Sequence, residues 1–410
     1  MRTVSWLAGW SVSVLAALIL TAYPTNPLTA QDYRAQALRI LRTTALIDGH
    51  NDLPFEVRVR GGVDSVDLAV SQPTLMTDIA RLRAGGVGAQ FWAAYVPVTT
   101  IHEGTHAAVY ALEQIDVVHR MCAKYPQAFG EARTAGQIER NFKAGKISCL
   151  IGVEGGHAIE NSLGALRSFY DLGVRYMTLT HWETIDWADA ATDSAKHDGL
   201  TAFGEQVVLE MNRLGMLVDL SHVSDATMMD ALRVSRAPVF YSHSSARAIA
   251  NHVRNVPDSI LRLVGQKRGV VMVNFNPGFV AEAVRLYGDS VQAWARALRA
   301  AGRGADSATR ADSLKAWTAR GPKATLQQVA DHLQHLRDVA GIDHIGIGSD
   351  FDGISDVPVG LEDVSKFPDL LAELLRRGWS EADVRKVVGL NALRVMREAE
   401  RVSAQLKALP

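Results

Sequence analysis

The 410-residue chain has little cysteine and almost no net charge. Its only two cysteines, Cys122 and Cys149, are too few for a fold held together by a framework of disulfides. One bridge between them is compatible with an exported protein, and the sequence leaves its formation open. The formal net charge of -1 lacks the basic excess that is typical of nucleic-acid-binding proteins. We therefore expect no nucleic-acid partner.

The first thirty residues have the layout of a signal peptide. The basic start Met1-Arg2 precedes an apolar stretch at residues 6–22 and small residues at 28–30. We predict that residues 1–30 are a leader cleaved after Ala30, and that the mature protein is periplasmic or secreted, without stable membrane insertion. The alternative is an N-terminal membrane anchor, because the apolar stretch is nearly long enough to span a bilayer. Since the C-terminus lacks a hydrophobic tail, we expect no GPI anchor.

Short apolar, β-branched runs alternate with amphipathic segments along residues 31–410, and this alternation is typical of parallel strands joined by helices. Eight runs are candidate strands: residues 46–48, 88–96, 147–153, 174–179, 216–220, 238–241, 269–275 and 345–348. Helices are predicted at 107–124, at 202–214 and within 368–400. Eight such units predict a single (β/α)8 barrel of the TIM type. The alternative is a doubly wound open sheet.

One segment, at about residues 285–323, interrupts this alternation after the seventh strand. It is rich in Ala, Arg, Asp and Ser. We interpret it as a helical insertion over the mouth of the barrel or along its side. A partner-binding surface is the other interpretation.

Six of the eight predicted strands lead directly into an ionisable residue. These residues are His50, Glu154, His181, His222, His243 and Asp350. Catalytic residues of TIM barrels gather at the C-terminal ends of the strands. The barrel therefore explains this pattern, which an open sheet leaves unexplained, and it predicts the active site at that end.

The residue types at these ends suit a metal ion. In an extended segment His50 and Asp52 face the same way, and an imidazole and a carboxylate both bind zinc. His222 and His243 each follow a serine on consecutive strands, whose ends lie about 5 Å apart. Each residue alone is more often structural. Together with Glu154 they exceed the three ligands of an open zinc site, which predicts two Zn²⁺ per subunit bridged by Glu154, with a shared water acidified to a nucleophilic hydroxide.

Six stretches carry a resemblance to a known family. They are Ile47-Asp48-Gly49-His50-Asn51-Asp52, Gly152-Val153-Glu154-Gly155-Gly156-His157, Asp219-Leu220-Ser221-His222, Ser242-His243-Ser244-Ser245, Arg254-Asn255-Val256-Pro257-Asp258 and Gly346-Ile347-Gly348-Ser349-Asp350-Phe351-Asp352-Gly353. In these stretches the chain resembles the membrane dipeptidase (renal dipeptidase) family of zinc peptidases, over about residues 45–397. The resemblance implies one zinc on His50 and Asp52, the other on His222 and His243, and Glu154 as the bridge.

Three further roles are implied by the same resemblance. His181 matches a histidine that contacts the substrate and helps to polarise the scissile carbonyl. Arg254 matches the arginine that binds the substrate carboxylate, and Asp350 matches the acid/base that passes a proton to the leaving amine. The family also suggests a homodimer.

The function predicted from the sequence is a zinc-dependent dipeptidase. It would hydrolyse small dipeptide-like substrates with a free C-terminal carboxylate by means of a metal-bridging hydroxide. One alternative is a two-zinc amidohydrolase acting on an N-acyl amino acid, a β-lactam or a lactone. The other is a metal-binding or cell-envelope binding protein without catalytic activity.

Overall fold

A computed structural model describes residues 29–102, 106–300 and 320–408. Residues 1–28 of the predicted leader lie outside the described residues. Cleavage of the leader stays a prediction. The first described element is a helix that begins at Ala30, capped by the Thr29 side chain, which accepts a hydrogen bond from the backbone N–H of Asp32.

Parallel strands form the centre of the molecule. They are β1 (Leu46–Asn51), β2 (Val87–Tyr95), β3 (Phe129–Glu131), β4 (Ile147–Glu154), β5 (Val174–Thr178), β6 (Leu217–Asp219), β7 (Phe240–Tyr241), β8 (Val270–Val273) and β9 (Ile345–Ile347). Their order is β2-β1-β9-β8-β7-β6-β5-β4, and β2 also pairs with β4. This last pairing closes the sheet into an eight-stranded barrel, so the predicted (β/α)8 fold is confirmed.

The strand β3 was not predicted from the sequence. Its three residues pair only with Ile147, Ser148 and Cys149, before the pairing of β4 with β5 begins at Ile151. A run of three residues is too short to show a periodic pattern. It adds to the sheet beside the N-terminal part of β4, and the barrel itself still has eight strands.

Helices follow most of the strands. They are α1 (Ala30–Leu41), α2 (Leu53–Val59), α3 (Ile79–Ala84), α4 (Thr99–His102), α5 (Ala107–Lys124), α6 (Ala135–Lys143), α7 (Leu163–Asp171), α8 (Ala202–Leu214), α9 (Asp225–Val234), α10 (Asp258–Gln266), α11 (Pro277–Val280), α12 (Glu282–Ala300), α13 (Leu326–Ala340), α14 (Phe367–Arg376), α15 (Glu381–Arg385) and α16 (Asn391–Lys407). Within the described ranges, no helix combines the length and apolarity needed to cross a bilayer.

Several helical predictions can be compared with these bounds. Helices α5 and α8 have the predicted bounds, and α14 to α16 account for the predicted terminal helices. Helix α12 overlaps the start of the predicted insertion at 285–323, whereas residues 301–319 lie outside the described part of the chain. The assignment of that segment as an insertion therefore stays a prediction.

Large side chains fill the interior of the barrel. The ring of Phe91 on β2 lies 5.1 Å from that of Tyr176 on β5 and 5.7 Å from that of Phe240 on β7, measured between centroids. These strands are not neighbours in the sheet, so the rings meet inside the barrel. Since a TIM barrel is a packed core and not a pore, a ligand can enter only from an end.

The two cysteines form a disulfide, which the sequence had left open. Cys122 on α5 is bonded to Cys149 on β4. The indole N–H of Trp92 donates a hydrogen bond of 3.3 Å to the Cys149 sulfur. The bridge therefore ties a surface helix to the strand that ends in Glu154.

Candidate metal centre

The ends of six barrel strands converge on the Glu154 carboxylate at the end of β4. Its Oε2 lies 3.5 Å from Nε2 of His50, near the end of β1. Its Oε1 lies 3.1 Å from His222 Nε2 and 3.4 Å from His243 Nε2, after β6 and β7. The two oxygens thus lie nearest to different histidines, and the assignment of these histidines to two ions stays a prediction.

Asp52 lies on the His50 side of Glu154. Its Oδ2 is 3.2 Å from His50 Nε2. The two side chains face the same point, as expected, but for a different reason. Asp52 has left the extended strand and stands at φ -96° and ψ 13° as the residue before α2, where Pro54 follows.

The buried imidazoles are oriented by hydrogen bonds at Nδ1. His50 Nδ1 lies 2.7 Å from the Tyr176 hydroxyl, and His243 Nδ1 lies 2.8 Å from the Ser242 hydroxyl. The Tyr176 ring requires a glycine on the neighbouring strand, because a Cβ at Gly152 would lie 1.9 Å from its Cζ. Gly152 therefore makes room for Tyr176, the hydrogen-bond partner of His50.

Burial decides the charge state of two histidines. It is the main cause that lowers the pKa of His222 and of His243 well below the ordinary value, with the Arg254 charge adding to the effect. Both imidazoles are therefore neutral at physiological pH, and the neutral ring is the form that binds a metal ion. Each directs Nε2 toward the other, 3.0 Å apart, and toward Glu154.

Asp350, which follows β9, is the third carboxylate side chain of the site, beside Asp52 and Glu154. Its Oδ1 lies 4.0 Å from His50 Nε2, and its Oδ2 accepts a hydrogen bond of 2.9 Å from the Asn274 amide. Burial raises the pKa of Asp350 to about 7. Its φ of 66° is left-handed, an uncommon conformation for a residue other than glycine that is often found at functional sites.

His181 and Arg254 line the same cavity. His181 Nε2 lies 3.7 Å from Glu154 Oε1, and its ring packs edge-on against Tyr95 at 4.9 Å. Arg254 is only 1% exposed, and its Nε and Nη1 make no hydrogen bond within the described residues. Its guanidinium lies 5.4 Å from the centre of the Phe279 ring. A buried cation with free donors is ready to receive an anionic group.

One cavity of about 230 Å³ is lined by Asp52, Glu154, His181, His222, Arg254 and Asp350, whereas His50 and His243 do not line it. Its wall also contains an aromatic and apolar part, made by Phe55, Tyr95, Trp182, Phe279 and Ile354. The volume lies below the range of about 300–1,000 Å³ that is usual for ligand pockets. The cavity is therefore suited to a small ligand.

The residues present fit a metal ion. Three triads each bring their ligand atoms within 4.8 Å of one another. They are His50, Glu154 and His243; Glu154, His181 and His222; and His50, Asp52 and Asp350. Carboxylates packed this closely repel one another unless a cation lies among them, and imidazole with carboxylate is the donor set of catalytic zinc.

Comparisons with known proteins agree with this geometry. The sequence profile of the membrane dipeptidase family (peptidase family M19) matches residues 34–409. The chain belongs to the membrane dipeptidase family. It is 42% identical to mouse dipeptidase 3 over 375 residues, which cover 90% of this chain and 67% of the mouse protein. The protein is thus a metallopeptidase of the dipeptidase type.

Solved structures show the same fold. A metallopeptidase from Rhodobacter sphaeroides, liganded with a phosphinate mimic of the dipeptide L-Ala-D-Ala, matches with 26% identity and a TM-score of 0.70, over 87% of this chain and 99% of that one. The probable dipeptidase PvdM from Pseudomonas aeruginosa matches with 24% identity and a TM-score of 0.79, over 93% and 100% of the two chains.

Sequence reasoning found the residues that gather around Glu154 and missed the residues that hydrogen-bond to them. Tyr176 contacts His50, Asn274 contacts Asp350, and Asp219 contacts the serine beside His243. Asn274 could have been found, because it follows β8 as the six ionisable residues follow their strands. Tyr176 gives no such signal, since a buried tyrosine within a strand is typical of a core.

Proposed function

We propose that the protein is a zinc-dependent dipeptidase that hydrolyses the peptide bond of dipeptides with a free C-terminal carboxylate. One observation carries the proposal. The two oxygens of Glu154 face different histidines, and the buried guanidinium of Arg254, whose Nε and Nη1 have no partner among the described residues, opens onto the same cavity. Family membership supports a peptidase that uses a metal ion, and the arginine supports a substrate with a carboxylate.

His50 and Asp52 would hold one zinc ion, and His222 and His243 the other, with Glu154 between them. When bound, such a pair lowers the pKa of a coordinated water and makes it a nucleophile at neutral pH. Neutral imidazoles and ionised carboxylates supply the lone pairs that this arrangement needs.

The remaining residues would act on the dipeptide. The Arg254 fork would bind the terminal carboxylate by two charge-assisted hydrogen bonds. His181 would donate to the carbonyl oxygen of the scissile bond as negative charge develops there. Asp350 would carry a proton from the attacking water to the leaving amine, which its place beside His50 and its hydrogen bond to Asn274 support.

Export is part of the proposal. The Cys122–Cys149 disulfide supports it, because disulfides persist in the periplasm and outside the cell and are rare in the cytosol. The homodimer that the family suggests stays a prediction, to be measured by light scattering of the purified protein.

Metal analysis and a substrate panel test the proposal together. Elemental analysis of the zinc-replete protein should give two zinc ions per subunit, and Glu154→Gln should lower this number, because a neutral amide is a poor bridge between two cations. The panel contains a dipeptide, its C-terminal amide, an N-acyl amino acid and a β-lactam. Hydrolysis of the free dipeptide above all others supports the dipeptidase. Preference for another member of the panel would favour the broader amidohydrolase.

A further inference from the structure

We propose that Asp219, acting through Ser242, holds His243 in the one tautomer that can bind a metal ion. Asp219 is thus a positioning residue for the ion assigned to His222 and His243. The inference rests on the proposed function, since it concerns that same ion. The link has two steps. His243 Nδ1 lies 2.8 Å from Ser242 Oγ, and Ser242 Oγ donates a hydrogen bond of 2.7 Å to Asp219 Oδ2.

The protons in this link can be placed from the donor and acceptor types. Asp219 is fully buried, and its carboxylate accepts two hydrogen bonds at each oxygen. The backbone N–H groups of Ser221 and Ser242 donate to Oδ1 at 3.2 and 2.8 Å. The hydroxyls of Thr178 and Ser242 donate to Oδ2 at 2.6 and 2.7 Å. An ionised carboxylate offers no proton in return.

The tautomer of His243 follows from this arrangement. Ser242 has a single hydroxyl proton, which the carboxylate takes. Its oxygen can then only accept from His243, so Nδ1 carries the ring proton and Nε2 keeps its lone pair. That lone pair points to Glu154 Oε1 at 3.4 Å and to the Nε2 of His222 at 3.0 Å. A metal ion among these atoms finds its ligand already in the binding form.

The other two imidazoles are not held in this way. His50 faces the Tyr176 hydroxyl, which can donate or accept and therefore does not select a tautomer. His222 Nδ1 has no hydrogen-bond partner within the described residues. Among the described residues, His243 is thus the only one of these three rings whose Nδ1 is linked to a carboxylate, and the link reaches only one side of the centre. Its loss should affect one metal ion and spare the other.

Replacing Asp219 by asparagine would reverse the direction of the hydrogen bonds in this link. Because Oδ1 must accept from two backbone N–H groups, the amide oxygen would take that place and the NH₂ group the place of Oδ2. The amide would then donate to Ser242, whose proton would turn toward His243 Nδ1. This favours the tautomer with the proton on Nε2, which cannot bind the ion. A wrong tautomer set by one Asp→Asn change is known to disable catalytic histidines.

The experiment is a zinc titration of the metal-free full chain by calorimetry. Asp219→Asn should weaken one of the two zinc equivalents by about 10–100-fold, as is typical when the partner of a ligating histidine is lost, and leave the other unchanged. Ser242→Ala should weaken the same equivalent less, because it releases the tautomer without imposing the wrong one. The matched control is Thr178→Val, which removes the other hydroxyl at Asp219 Oδ2 and leaves the link intact, so it should bind both ions like wild type.

Three results would overturn the inference. Asp219→Asn could bind both equivalents with wild-type affinity. Thr178→Val could lose as much affinity as Asp219→Asn, which would mean that Asp219 matters only for packing. If Asp219→Asn fails to fold, as judged by circular dichroism, Ser242→Ala decides, and unchanged affinity there refutes the link. A wild-type protein that binds zinc but cleaves no dipeptide would refute the proposed function alone.

Discussion

Replacing Arg254 by methionine tests how the substrate is bound. Methionine keeps most of the length and removes the guanidinium. In the structure the side chain is 1% exposed, and two of its three nitrogens, Nε and Nη1, have no partner in the described residues. The guanidinium can therefore turn two adjacent N–H groups toward a carboxylate, as in a bidentate pair. Hydrogen bonds to a charged group contribute about 1.5–3 kcal/mol each, so the pair contributes roughly 3–6 kcal/mol. Since each 1.4 kcal/mol corresponds to a factor of about ten, kcat/KM should fall by about 10² to 10⁴.

The loss should appear mainly in KM, because the carboxylate is bound both before and during the reaction. Steady-state kinetics on a dipeptide and on its C-terminal amide measure it. Wild type should strongly prefer the free acid, and Arg254→Met should reduce that preference to near one. The control is Arg247→Met. Arg247 belongs to the same loop but pairs with Asp225 and does not line the cavity. Equal cleavage of acid and amide by wild type, or a fall in kcat alone for the variant, would refute the assignment.

Three further predictions concern other parts of the chain. Asp350→Asn should lower kcat by about 10²–10⁴ with the zinc content unchanged, and an unaltered kcat would remove Asp350 from the mechanism. Mass spectrometry of the exported protein should find an N-terminus near Gln31, whereas Met1 on a membrane-bound chain would support the anchor. Burial lowers the pKa of His332 to about 4 from an ordinary 6.5, so its contribution to stability is complete above pH 6.5 and is lost as the pH falls toward 4. In urea unfolding of the metal-free protein, the advantage of wild type over His332→Gln should shrink by about 3 kcal/mol between pH 7 and 4, and a constant difference would contradict the shift.

The His332 prediction has a simple structural cause. The ring is buried on α13, where Nδ1 accepts from the Ala246 backbone N–H and Nε2 donates to the Val280 carbonyl. Only the neutral ring can make both bonds. His332 therefore joins the loops that follow β7 and β8, and protonation breaks the first bond.

Local pattern was enough to predict the barrel and the residues that face its mouth. A buried parallel strand is a short apolar run, and the residue that follows it stands at the C-terminal edge wherever the strand lies in the sheet. For this reason His50, Glu154, His222 and His243 could be placed together without knowing the strand order. Strand β3, with three residues, fell below what such a pattern can show.

Only the tertiary structure determined the contacts between residues that are far apart in the sequence. The disulfide forms because α5 packs against β4. Which histidines lie near each oxygen of Glu154 depends on the rotation of the Glu154 side chain. Tyr176 reaches His50 from β5, across the barrel, and meets it only after the barrel has closed, whereas Asp219 reaches Ser242 from the neighbouring strand β6. Sequence spacing carries no record of these distances, because hydrogen bonds between side chains depend on directions in space that the packing of the whole barrel sets.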